Sequence, residues 1–83
     1  DRAEQRKAMA PVRKRAKDAE ALLAKLAQER AKLEERLADP ALYAGGKTDE
    51  ITRANTRLAA IAREAEEAET VWLEAEAELE AAH

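Results

Sequence analysis

Asp39-Pro40-Ala41-Leu42-Tyr43-Ala44-Gly45-Gly46-Lys47-Thr48 decides the fold, because it is the only strong break in the chain. It holds both glycines and one of the two prolines. Asp39 before Pro40 reads as a cap followed by a first-turn proline, which predicts a short helical turn over Pro40 to Ala44. Gly45-Gly46 then permits positive φ at little steric cost. Thr48 is placed to cap a new helix, with Asp49 and Glu50 favourable against its N-terminal dipole. The stretch reads as a tip that folds one helix back on another.

Upstream of the tip, one stripe is regular: Met9, Val12, Ala16, Ala19, Leu23, Leu26, Arg30, Leu33, Leu37. Its alternating steps of three and four are a heptad repeat with these residues at a and d. Nothing from Val12 to Ala38 breaks a helix, and Pro11 fits as its first-turn residue. Ala10, before that proline, is biased away from the α region. Residues 1–10 are therefore expected as a lead-in, either a short separate helix or the continuation of an upstream one joined at a kink, with the first arm over 11–38. Arg30 interrupts the stripe; its stem can cover the seam while its head reaches water, or it can set register.

Downstream, Ile51, Ala54, Leu58, Ile61, Ala65, Ala68, Trp72, Ala75, Leu79 and Ala82 keep the same rhythm. No Gly or Pro follows Asp49, so a second helix is predicted over 49–82, after a tip at 39–48. A short connection between helices of matching period favours an antiparallel hairpin. Aligned around the tip, Leu37 faces Ile51, Leu26 faces Ile61, Ala16 faces Trp72, Val12 faces Ala75 and Met9 faces Leu79. Large residues mostly meet small ones, as interdigitating layers require. The same register sets Arg13 by Glu76, Glu29 by Arg57 and Arg36 by Glu50. It leaves Glu20 beside Glu69 unexplained. The fold class is thus all-α: an antiparallel two-helix coiled-coil hairpin with a short helical turn at its tip.

Composition agrees. Charged residues are 40% of 83, aromatics 2%, and there is no Phe. That excludes a sizeable core and points to long helices. An alanine-rich seam is thin, so modest stability and possible self-association are expected. Without cysteine there is no disulfide, thiol nucleophile or thiolate zinc site. No serine is present, and the single histidine is His83 at the end, so no catalytic triad can be built. Gly45-Gly46-Lys47-Thr48 echoes the last letters of a phosphate loop but lacks its upstream glycine and preceding strand. No catalytic residue, metal site or cofactor is therefore assigned. No apolar run approaches a membrane span of roughly 18 residues. The chain opens at Asp1 rather than Met, which reads as a piece of a longer protein.

Charge is uneven, although the net is only −3. Residues 1–17 hold Arg2, Arg6, Lys7, Arg13, Lys14, Arg15 and Lys17 against Asp1 and Glu4. Residues 48–83 are strongly acidic, and in a hairpin Glu74, Glu76, Glu78 and Glu80 are expected to compensate much of the basic cluster. Lysines and arginines neutralise phosphates and release counterions. Arg13, Lys14, Arg15 and Lys17 are the candidate nucleic-acid contacts, with Arg6 and Lys7 secondary. Against this stands the plain alternative of a solvated helix face paired with an acidic arm.

Pro11-Val12-Arg13-Lys14, the leucine heptads, Leu37-Ala38-Asp39-Pro40-Ala41-Leu42-Tyr43 and Trp72-Leu73-Glu74 together resemble the C-terminal coiled-coil domain of ABC-F ATPases, of the Uup type. The L-A-D-P-x-L-Y turn followed some thirty residues later by W-L-E is the most specific part, and the resemblance runs from about Arg6 to Leu79. Gly45-Gly46 stands where an acidic or proline-containing stretch is more usual. The resemblance implies a cytoplasmic module of a soluble ABC protein that acts on ribosomes. ATP would be bound in upstream cassettes rather than in this chain. It also implies nucleic-acid binding, to DNA or ribosomal RNA, by the C-terminal domain. The rival implication is a structural or protein-interaction arm that positions the cassettes without touching nucleic acid.

Overall fold

The computed structural model describes all residues, 1–83, as a rod of 65 × 15 × 14 Å. Helix α1 spans Arg2–Leu37, α2 spans Pro40–Ala44 and α3 spans Thr48–Ala81. Helices α1 and α3 pack along their length as an antiparallel pair, with α2 forming the turn between them. No strand is present. The all-α hairpin expected from the two stripes is the observed fold.

Eight of the nine buried residues lie on the predicted stripes: Val12, Ala16, Ala19, Leu26, Ala54, Ile61, Ala68 and Ala75. The ninth, Leu42, belongs to the tip and is 1% exposed. At the open end Val12, Ala16 and Ala75 form a cluster, with Met9, Trp72 and Leu79 packed against it. These are the partners the register predicted. Ala75, fully buried, leaves the room that Val12 and Trp72 occupy.

The tip is fixed by specific bonds. Asp39 accepts from the Ala41 amide at 3.0 Å, capping α2, and Pro40 occupies the first turn. The Tyr43 hydroxyl donates to the Leu37 carbonyl at 2.6 Å, satisfying an acceptor that the end of α1 leaves without a helical partner. Only Gly46 uses the left-handed region, at φ 65°. Gly45 is right-handed, at φ −80°.

Two local expectations are corrected. Pro11 does not start α1; it lies inside it, and residues 2–10 continue the same helix without a separate lead-in. An interior proline removes one ladder bond and crowds the carbonyl four residues back, here that of Lys7, at a typical cost of about 3 kcal/mol. Strong helix formers on both sides oppose that cost, and tertiary anchors add to them. Met9 packs into the open-end cluster, and the Gln5 amide donates to the Ala82 carbonyl at 2.6 Å. In the turn that Pro11 disturbs, the Arg13 guanidinium donates to the Arg6 carbonyl at 2.8 Å. The second correction concerns Thr48, which is the first residue of α3 rather than its cap. Lys47 holds the cap position without a side-chain bond. The Thr48 amide instead donates to the Gly46 carbonyl at 3.0 Å, so the glycine turn supplies the acceptor.

Candidate nucleic-acid interface

The heptad phase of α1 divides its basic residues into three lines. Arg6 and Arg13 share one edge of the seam, and Arg15 lies on the other. Lys7 and Lys14 stand at the outermost position, seven residues apart, with Lys17 beside them on the outward side. All six are exposed. The structure therefore does not gather Arg13, Lys14, Arg15 and Lys17 on one face; it wraps them around the helix.

Their partners rank them further. Arg15 is ion-paired across the seam with Glu78 and is only half available. Lys14 meets Asp18 at 2.7 Å, with both side chains largely exposed. Such an i,i+4 surface pair is worth a few tenths of a kcal/mol, roughly, and yields readily to a phosphate. Arg13 is bonded to a carbonyl rather than to a carboxylate and keeps its full charge and further N–H donors. Arg6, Lys7 and Lys17 form no ion pair.

The acidic arm compensates this cluster less than expected. Of Glu74, Glu76, Glu78 and Glu80, only Glu78 bonds a base of α1. The physical reason is direction. The outward faces of two packed helices look away from each other, so Glu74 and Glu80 lie on the back of α3, opposite the lysines. Arg13 likewise does not reach Glu76. Glu20 is not spent on repulsion with Glu69; its carboxylate accepts the Trp72 indole N–H at 3.0 Å.

Sequence reasoning missed Lys25 and Lys32. Both are exposed on the outward side of α1, seven residues apart, and they extend the line begun by Lys7 and Lys14. From Lys7 to Lys32 the helix rises roughly 38 Å at 1.5 Å per residue. Heptad phase carried the signal, but the intervening acids Asp18, Glu20 and Glu29 hid it in a linear count of charge.

The two expected tip-side ion pairs are present. Arg36 grips Glu50 through Nε at 2.6 Å and Nη2 at 3.2 Å, and reaches Asp39 at 3.6 Å. Arg57 bonds Glu29 at 2.5 and 2.8 Å and Glu64 at 2.8 Å. Hydrogen bonds from these guanidiniums hold the Glu50 and Glu29 carboxyls below the usual glutamate range. The same bonds raise Arg36 and Arg57 further above the ordinary guanidinium value. These charges are occupied in holding the hairpin together. No cluster of His, Asp or Glu is arranged to hold a metal ion, and no helix is long and apolar enough to cross a membrane.

The family model described as ABC transporter C-terminal domain matches residues 12–77, most of both arms and the whole tip. The chain belongs to that family. No curated protein and no solved structure matches it. As an ABC transporter C-terminal domain it carries its family's matched region from the first buried valine of α1, through the tip, to just past Ala75 of α3.

Proposed function

We propose that this chain is the phosphate-binding C-terminal arm of a soluble, cytoplasmic ABC-F-type protein of the Uup kind, contacting DNA or ribosomal RNA without reading base sequence. The parent's ATP would be bound and hydrolysed elsewhere, in its cassettes. One observation carries the reading: the outward side of α1 presents Lys7, Lys14, Lys17, Lys25 and Lys32 against Glu4, Asp18 and Glu35, while the opposite back of α3 presents Glu66, Glu67, Glu74 and Glu80 against Arg53 and Arg63, so the surplus is basic on one side and acidic on the other. A rod polarised in this way turns one side to a polyanion. Arg6 and Arg13 border the lysine line at its open end. Arg15, tied to Glu78, contributes least.

Side chains of this kind contact phosphates, and nothing aromatic is interleaved to stack on bases. Binding is accordingly weak, indifferent to sequence and steeply dependent on salt. If five lysines each neutralise one phosphate of a duplex, log K falls with log salt at a slope of about −4 to −5. Fluorescence anisotropy of labelled duplex DNA and structured RNA, titrated at low and moderate salt, measures that slope. Replacing Lys7 or Lys14 by alanine should lower its magnitude by about 1 for unrelated sequences alike, whereas Arg15→Ala should change it less. A slope near zero, or equal effects of Arg15→Ala and Lys14→Ala, would refute the lysine-line reading. Failure of the isolated arm to bind either nucleic acid would favour the arm as a spacer or protein-docking element.

A further inference from the structure

The two edges of the seam are built differently. Along one edge, every cross-helix ion pair is found: Arg36 with Glu50, Arg57 with Glu29, and Arg15 with Glu78. On the other edge the facing positions are Arg13 and Glu76, Glu20 and Glu69, Ala27 and Ala62, and Glu34 and Asn55. No ion pair crosses there. In its middle lies an open, mostly apolar groove of about 290 Å³, lined chiefly by Leu23, Leu26, Ala27, Leu58, Ile61 and Ala62, with the Arg30–Glu34 ion pair also in its lining. Ala27 and Ala62 are both exposed, and neither side chain is long enough to cover the seam behind it.

We propose that this open edge is the contact face for a second copy of the same chain, lying parallel to the first in a four-helix bundle. A two-fold axis along the rod sets α1 of one copy against α3 of the other at the same level. Ala27 then meets Ala62 of the second copy, and small residues let the helices approach to about 8 Å, the close end of the usual range. Arg13 meets Glu76 of the second copy. Within one chain both are exposed and neither has an ion-pair partner, so the symmetric assembly supplies two new pairs. Glu34 meets a neutral Asn55. Glu20 faces Glu69 of the second copy, but its carboxylate is drawn back onto the Trp72 indole. An antiparallel arrangement centred on the same alanines sets α1 against α1 and leaves Arg13 and Glu76 far from each other. The Arg13–Glu76 pairs therefore select the parallel arrangement. The outward lysines remain free in it; of the candidate phosphate contacts only Arg13 is drawn into the pair.

Sedimentation equilibrium over a wide concentration range tests this. The expected mass rises from 9.2 kDa toward twice that value with concentration. Ala27→Glu and Ala62→Glu, at exposed sites that leave helicity by circular dichroism intact, should each weaken association by at least about tenfold, because a charge is buried without a partner. Arg13→Glu should weaken it as well, and Arg13→Glu with Glu76→Arg should restore it. Spin labels at Lys47→Cys should lie close together, since the parallel pair brings both tips to one end. A monomer at all concentrations, a dimer indifferent to Ala27→Glu, or labels separated by most of the 65 Å rod would each overturn the proposal.

Discussion

The tip and the open end close the same seam by different means. At the tip, a single leucine is almost fully enclosed, a carboxylate caps a helix, a tyrosine hydroxyl terminates another, and one guanidinium joins α1 to α3. At the open end a valine and two alanines nest among Met9, Trp72 and Leu79, with exposed bonds from Gln5 to the Ala82 carbonyl and from the Trp72 indole to Glu20 beside them. The ion pairs differ in the same sense. Arg36 and Glu50 are 39% and 35% exposed, whereas Arg15 and Glu78 are 47% and 53% exposed. The bonds that shape the backbone reversal are concentrated at the tip, whereas those at the open end tie exposed side chains across the seam. Where the chain only runs alongside itself, loose packing suffices and charge is left over for partners.

The largest effect that could break this contrast comes from the tip leucine. Leu42→Ala should destabilise the hairpin by about 2–5 kcal/mol, the range for enclosed leucines. Met9→Ala, a half-buried site at the open end, should cost clearly less. Urea denaturation followed by circular dichroism compares them, and equal losses would mean that the two ends are not distinct. Next in size is the glycine pair. Gly46→Ala forces a Cβ into the left-handed region at φ 65° and should cost about 1–2 kcal/mol. Gly45→Ala keeps an ordinary φ; its Cβ would press on the Ala41 carbonyl oxygen at 3.3 Å and touch the Lys47 side chain at 3.6 Å, so its cost is a small shift of that turn and should be less. Equal penalties would show that both glycines serve the reversal.

Much of this was legible in the residues. Heptad spacing fixed both helices, their pairing and all but one buried position, because a thin two-helix seam has few ways to hide its apolar side chains. Asp39-Pro40 and the glycine pair marked the tip through local backbone chemistry. Pro11 misled because local rules favour a helix start there, whereas Met9 and Gln5 anchor the preceding turns from sixty residues or more along the chain. The candidate interface was half legible. A linear cluster of bases weights Arg15 as heavily as Lys14, but helical phase sends them to different sides, and only packing shows which carboxylates lie within reach. Lys25 and Lys32 escaped a count by neighbourhood for the same reason.

The smallest effect sharpens the contrast through pH. Arg57 and Arg36 hold the Glu29 and Glu50 carboxyls below their ordinary values, chiefly by hydrogen bonding. A carboxyl whose folded-state pKa is depressed adds stability that is in place above its unfolded value, roughly 4.3. That stability disappears as pH falls through the lower folded-state value. The wild-type chain should therefore exceed Glu29→Gln/Glu50→Gln in stability near pH 7, and the gap should close below about pH 4. Both pairs are more than a third exposed, so the gap is small and salt shrinks it. Glu66→Gln/Glu67→Gln, on the unpaired back of α3, supplies the control for bulk charge, since it removes two carboxylates without removing an ion pair. Denaturant midpoints collected across that pH range decide the matter. A gap that persists at low pH, or one equalled by the control, would mean that the tip-side ion pairs are bystanders and that the turn alone sets the register.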